Sequence, residues 1–140
     1  MSVDVYLNFN GNCREAVQFY SKVFKQEITQ LMTFGDIPDA PGEAQREDTK
    51  NLIMHARLQI SGSNVMFSDV FPSMPFTAGN NITLALVSTD RNEIESAYEQ
   101  LKVGGTVAME LQETFWSKCY GMITDQFGIN WQFSQVEESN

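Results

Sequence analysis

Only two of the 140 residues are cysteine, Cys13 and Cys119, and only one is histidine, His55. A structural zinc site needs a full tetrahedral set of Cys and His ligands, and no C-x-x-C pair occurs, so that class is excluded. Basic residues are scarce. Nine Lys and Arg stand against 18 Asp and Glu, leaving a formal charge of −9. Phosphate backbones and anionic membranes both call for a concentrated basic surface, so neither nucleic acid nor membrane is expected as a partner. The acidic surplus favours solubility. No apolar run is long enough to span a bilayer. The opening MSVDVYLNF lacks a basic region followed by an apolar stretch, so no secretory leader is expected. G-x-G-x-x-G, P-loop, G-x-S-x-G and H-E-x-x-H patterns are all missing, which argues against the standard dehydrogenase, kinase and hydrolase classes. The reading is of a soluble protein of the reducing cytoplasm.

What is present is globular. Hydrophobic residues make up 42% of the chain, and a chain of this length buries a sufficient core without cross-links. Val3–Phe9 alternates as a half-buried strand. Asn12 is placed to cap a helix whose apolar stripe is Cys13, Ala16, Val17, Tyr20, Val23 and Phe24. A strand is expected near Glu27–Phe34, then a long polar loop over 35–50 that is either a lid or a plain connection. Leu52, Met54, Ala56, Leu58 and Ile60 alternate with Ile53, His55, Arg57 and Gln59. Ser61–Asn64 is a hairpin turn and Val65–Val70 the return strand. The pattern then restarts. It gives a strand over Ile82–Val87, a helix capped by Asp90 with Glu93 at capping-box spacing, and a stop at Gly104-Gly105. Strands follow near Thr106–Leu111, Trp116–Thr124 and Ile129–Gln135.

The order is strand, helix, three strands, repeated. This is an α+β fold of paired βαβββ modules, 1–70 and 80–135, within one domain. A lone four-stranded sheet leaves one face bare. The expected solution is a curved mixed sheet with helices outside and a cleft inside. Strand phase places Tyr6, Asn8, His55, Arg57, Phe67, Thr83 and Gln132 on the cleft side, and a single bulge would invert that phase.

Several residues carry chemical potential. His55 titrates near neutrality by type; it is either a hydrogen-bonded cleft residue or a ligand contact, with acid–base work or metal ligation as further options. Arg57 on an apolar strand needs a partner, either a bidentate carboxylate or phosphonate or a glutamate across a subunit interface. Asp69 reads as a turn residue at a strand end. Cys13 at a helix start is either an activated thiolate or simply buried. FPSMPF and Phe115-Trp116 offer apolar surface for a pocket rim or a homodimer, and the homodimer is the reading adopted.

The stretches NFNGNCREAVQFYSKVF, MHARLQISGSNVMFSD and FWSKCYGMITDQFGINWQF resemble the PhnB-like branch of the glyoxalase/bleomycin-resistance/extradiol-dioxygenase (vicinal oxygen chelate) superfamily, in order and over nearly the whole chain. The resemblance implies that fold, and it implies a cleft where enzymes hold a divalent metal with His and Glu ligands from four strands. The matching slots fall at Val5 or Tyr6, near Phe67, at Thr83 or Leu84, and at Gln132 in place of a glutamate. A divalent cation prefers several anionic oxygens or imidazoles. The expectation is therefore no standard metal and no cofactor. Tyr6, Asn8, His55, Arg57, Phe67 and Gln132 would bind a small polar or anionic ligand. The alternative is a metal-dependent lyase, isomerase or dioxygenase with atypical ligands, His55 together with Asp69 or a group from a second subunit.

Overall fold

The computed structural model describes residues 1–37 and 42–138. The chain divides into two units, Met1–Thr77 and Ala78–Asn140, each a βαβββ module. Module one contains β1 (Val5–Phe9), α1 (Cys13–Phe24), β2 (Thr29–Thr33), β3 (Ile53–Ile60) and β4 (Ser63–Asp69). Module two contains β5 (Leu84–Ser88), α2 (Arg91–Leu101), β6 (Thr106–Gln112), β7 (Tyr120–Thr124) and β8 (Asn130–Gln135). Each forms a four-stranded mixed sheet, ordered β1-β4-β3-β2 and β5-β8-β7-β6. The first and last strands of each module pair in parallel, and the other neighbours are antiparallel.

One helix covers one face of each sheet. In module one, Cys13, Ala16, Val17, Tyr20 and Val23 of α1 are buried, together with Phe9, Val65, Phe67, Ala56, Leu58 and Ile60 from the strands. In module two, Ile94, Ala97, Tyr98 and Leu101 of α2 are buried, as are Leu86, Ile123, Trp131 and Phe133. Aromatic contacts join helix to sheet: Tyr20 stacks on Phe67 at 5.8 Å between centroids, and Tyr98 meets Phe133 edge-on at 5.6 Å. Alternation along a strand then sends the intervening side chains to the face away from the helix.

The caps differ from their local expectation in one module. Asp90 caps α2 by accepting the Asn92 N–H at 2.9 Å. Asn12 occupies the N-cap position of α1 without a side-chain cap bond. The Asp69 carboxylate does the work instead. Its Oδ1 accepts the N–H groups of Gly11 at 2.9 Å and Cys13 at 3.0 Å, and its Oδ2 accepts that of Ile53 at 2.9 Å. Asp69 is 2% exposed, so these bonds lie in the core. Asp125 has a parallel role in module two. It accepts the N–H groups of Phe127 and Ile129 and the indole N–H of Trp131.

Two boundaries and one strand phase stand out against expectation. Val3 is fully exposed, because the β1–β4 ladder begins only at Val5 and Val65. Residues 116–119 do not extend β7. The Thr114 N–H donates to the Ser117 carbonyl at 2.8 Å, closing a turn that leaves Phe115 and Trp116 exposed. Ile53 does not share a face with His55. Thr33 pairs with Ile53 and Met32 with His55, so Met54 is an extra residue in β3, a bulge that shifts the phase. Ile53 is buried with the core, and after the bulge Ala56, Leu58 and Ile60 take over.

Asp69→Ala leaves three buried N–H groups unpaired. The expected loss is about 3 kcal/mol or more, since each stranded donor costs about 1–3 kcal/mol. Urea unfolding followed by circular dichroism checks it. An unchanged midpoint would show that the carboxylate does not organise this module.

Candidate functional site

The face of module one opposite α1 is polar. Register defines its rows. Tyr6 lies beside Met66, Met66 beside Arg57, and Arg57 beside Thr29. The next row holds Asn8, Ser68, His55 and Met32, with Asn8 paired to Ser68 and His55 to Met32. Tyr6, Asn8, His55 and Arg57 thus share one face, as alternation led one to expect.

Two hydrogen-bonded groups organise it. Tyr6 Oη lies 3.2 Å from His55 Nδ1, and Gln30 Oε1 lies 3.3 Å from His55 Nε2. A carboxamide oxygen only accepts, so the neutral ring carries its hydrogen on Nε2 and takes the Tyr6 hydroxyl hydrogen at Nδ1. Gln30 reaches the ring from an irregular stretch of β2, where its own φ is +55° and the register to β3 shifts. Sequence reading missed Gln30 because neither the bulge nor the left-handed backbone leaves a local signature. In the second group, Arg57 Nε donates to Asn64 Oδ1, and Asn64 Nδ2 donates to Asp4 Oδ2 at 3.2 Å. Among the described residues no carboxylate forms an ion pair with Arg57.

Phe67 does not belong to this face. It is fully buried, stacked between Tyr20 and Phe9 at 5.8 and 6.4 Å. Its neighbour Met66 holds the outward position, because β4 sends Val65, Phe67 and Asp69 inward. Asp69 likewise has its oxygens committed to backbone donors on the core side, which removes the second ligand of the atypical metal reading.

Gln132 lies in module two, on the face away from α2, between the buried Trp131 and Phe133. Tyr120 Oη donates to its Oε1 at 3.0 Å. Its register partners are Ala85 on β5 and Met122 on β7. Thr83 precedes β5 and is exposed. The two ladders are equivalent pair by pair. Tyr6 beside Met66 in module one corresponds to Ala85 beside Gln132 in module two.

Neither thiol is poised for chemistry. Burial is the main cause that pushes Cys13 far above the ordinary thiol range, and the Asp69 charge adds to it. Burial also raises Cys119, with Arg91 opposing. Both are free and buried. No helix among the described residues is long and apolar enough to cross a membrane.

Comparison with known proteins meets this geometry. The sequence matches the family described as 3-demethylubiquinone-9 3-methyltransferase over residues 2–134. The chain belongs to that family. It is a PhnB-like protein, 33% identical to Protein YjdN of Escherichia coli (strain K12) across 99% of this chain and 97% of that one. The crystal structure of PA1353 from Pseudomonas aeruginosa matches with a TM-score of 0.85 at 33% identity, covering 99% of each chain. A PhnB protein from Bacillus cereus matches with a TM-score of 0.77 at 24% identity, over 97% of this chain and 100% of that one. A glyoxylase/bleomycin resistance protein/dioxygenase domain from Frankia sp. EAN1pec shares the fold, with a TM-score of 0.68 at 11% identity over 100% and 94% of the two chains. The glyoxalase/bleomycin-resistance fold is thereby shown.

The resemblance implies metal-ligand slots on the first and last strands of each module, β1, β4, β5 and β8. In this PhnB-like chain the outward-facing pairs nearest those slots are Tyr6 with Met66 and Ala85 with Gln132. A phenol, a thioether, a methyl and a neutral amide do not make a divalent-cation site. Among the described residues no cluster of three or more His, Cys, Asp or Glu could hold a metal. Protein purified without tag or chelator is expected to carry no stoichiometric transition metal by elemental analysis. A metal lost on His55→Ala would overturn this.

Proposed function

We propose that the module-one face binds a small polar or anionic ligand without the superfamily's metal, with Arg57 as the group that holds it. One observation carries this. Arg57 is half-buried, its Nε is oriented by Asn64, and no acidic side chain among the described residues pairs with its charge. A partly desolvated guanidinium without a counter-charge is costly, and its planar fork matches a carboxylate, phosphonate or sulfonate. Tyr6, Asn8 and His55 on the same face supply hydroxyl, amide and imidazole contacts. Gln132, which accepts from Tyr120, occupies the corresponding face of module two. The reading is one of binding. A methyl-transfer activity gains no support from the residues, since the sequence has no glycine-rich nucleotide-binding motif.

Arg57→Gln is expected to weaken binding of the tightest member of a panel of small carboxylates, phosphonates and sulfate by about 10- to 100-fold, the worth of a charge-assisted bond of about 1.5–3 kcal/mol. Isothermal titration calorimetry reads it. Equal affinity in the variant would remove Arg57 from the site, and no binding anywhere in the panel would remove the proposal.

The proposed partner besides the ligand is a second copy of the chain. Phe115 and Trp116 meet edge-on at 4.8 Å and are 98% and 55% exposed, on the rim of a concavity of about 800 Å³ in module two. Exposed paired aromatics of this kind commonly mark contact surfaces. Light scattering on the wild type should give the dimer mass. The Phe115→Ser/Trp116→Ser double variant should shift it toward monomer, and a monomeric wild type would refute the assignment.

A further inference from the structure

We infer that the module-one face takes its oxoanion together with a proton, which His55 gains at Nδ1 while Tyr6 turns its hydroxyl hydrogen from His55 to the anion. This rests on the anion-binding reading of Arg57 given above.

The starting state is set by Gln30. Its oxygen accepts from Nε2, so the neutral ring must accept at Nδ1, and the one hydrogen of the Tyr6 hydroxyl is committed there. Tyr6 is nevertheless 43% exposed, and it stands on the same transverse row as Arg57, with Met66 between them. An anion lying over Met66 has the guanidinium on one side and the Tyr6 oxygen on the other. Toward that anion the Tyr6 oxygen is repulsive as long as its hydrogen points at His55. A proton taken from solvent onto Nδ1 reverses the bond. Nδ1–H then donates to Tyr6 Oη, and the Tyr6 O–H is free to donate to the anion. No covalent bond other than N–H forms, and the phenol keeps its hydrogen.

Electrostatics couples the two events. Arg57 lies two residues along β3 on the same face, about 7 Å away by strand geometry. Asp4, ahead of β1, is a further charged group linked to Arg57 through Asn64. Among the described residues of module one, β4 contributes Asn64, Met66 and Ser68 and β2 contributes Thr29, Gln30 and Met32, none of them charged. A bound oxoanion cancels the Arg57 charge and attracts the imidazolium. By linkage, whatever favours the protonated ring in the complex must tighten the anion at lower pH by the same factor.

Because His55 is the one histidine, its ring proton resonances are unambiguous in a pH titration of the whole protein. Sulfate is the probe, because it keeps its charge across the titration. At constant ionic strength, saturating sulfate is expected to raise the titration midpoint by about one pH unit, equivalent to about tenfold tighter sulfate binding on the acid side. Arg57→Gln should abolish the rise. Tyr6→Phe keeps the ring of a half-exposed residue and should shrink it. A sulfate complex that forms with an unmoved midpoint overturns the proton coupling and leaves the anion site standing. A rise unchanged in Tyr6→Phe overturns the hydroxyl reversal. Absence of any sulfate effect, while other members of the anion panel bind through Arg57, overturns this inference alone. Absence of binding across that whole panel overturns the reading beneath it.

Discussion

Two distant pieces of backbone meet on the Asp69 carboxylate, and the geometry of module one follows from that meeting. Gly11 and Cys13 belong to the turn into α1, and Ile53 opens β3. Asp69 ends β4. One buried charge therefore ties the helix start, the entry of the central strand and the end of its neighbour. A buried carboxylate is tolerated because its oxygens are paid in charge-assisted bonds. With Ile53 pinned, the bulge at Met54 shifts the phase, and His55 and Arg57 emerge on the face away from α1. The polar face depends on this arrangement more than on any single polar contact within it.

Module two reaches the same end by another route. Asp125 sits in the tight turn between β7 and β8 and accepts from Phe127, Ile129 and the Trp131 indole. Its grip on Trp131 fixes that ring in the core, and Gln132 must then point outward. The duplicated ladders allow the two faces to be compared position by position. His55 corresponds to Tyr120, Arg57 to Met122, Tyr6 to Ala85 and Met66 to Gln132. The face of module one gathers imidazole, guanidinium and phenol. Its counterpart gathers thioether, methyl and a Tyr–Gln pair. Equal backbone geometry thus supports unequal chemistry, and the ionisable groups concentrate in one module. Neither set resembles a site built for a hard divalent cation, whose ligands would be carboxylates and imidazoles.

Much of this was written locally. Strict alternation in β8 put Gln132 outward, and alternation in β1 and β3 put Tyr6, Asn8, His55 and Arg57 together. Helical spacing identified the buried stripes of α1 and α2, and Asp90 caps α2 as its type and position imply. These features depend on residues within one turn or one pleat of each other, so composition and periodicity sufficed.

Other features depend on which strand lies beside which. The cap of α1 comes from Asp69, 56 residues beyond Cys13, so Asn12 looked like the cap and was not. Strand phase alone places Phe67 on the polar face, but the ladder with β1 and β3 puts Met66 there and drives Phe67 onto Tyr20. Gln30 joins His55 only through a bulged register. Trp116 leaves its expected strand and lies with Phe115 in a turn closed by Thr114 and Ser117. The sequence by itself determined which side chains alternate and which recur at helical spacing, because both are properties of a single segment. Tertiary structure decided phase, caps and partners, because one extra residue in a ladder inverts a face and only the neighbouring strand records that it is there.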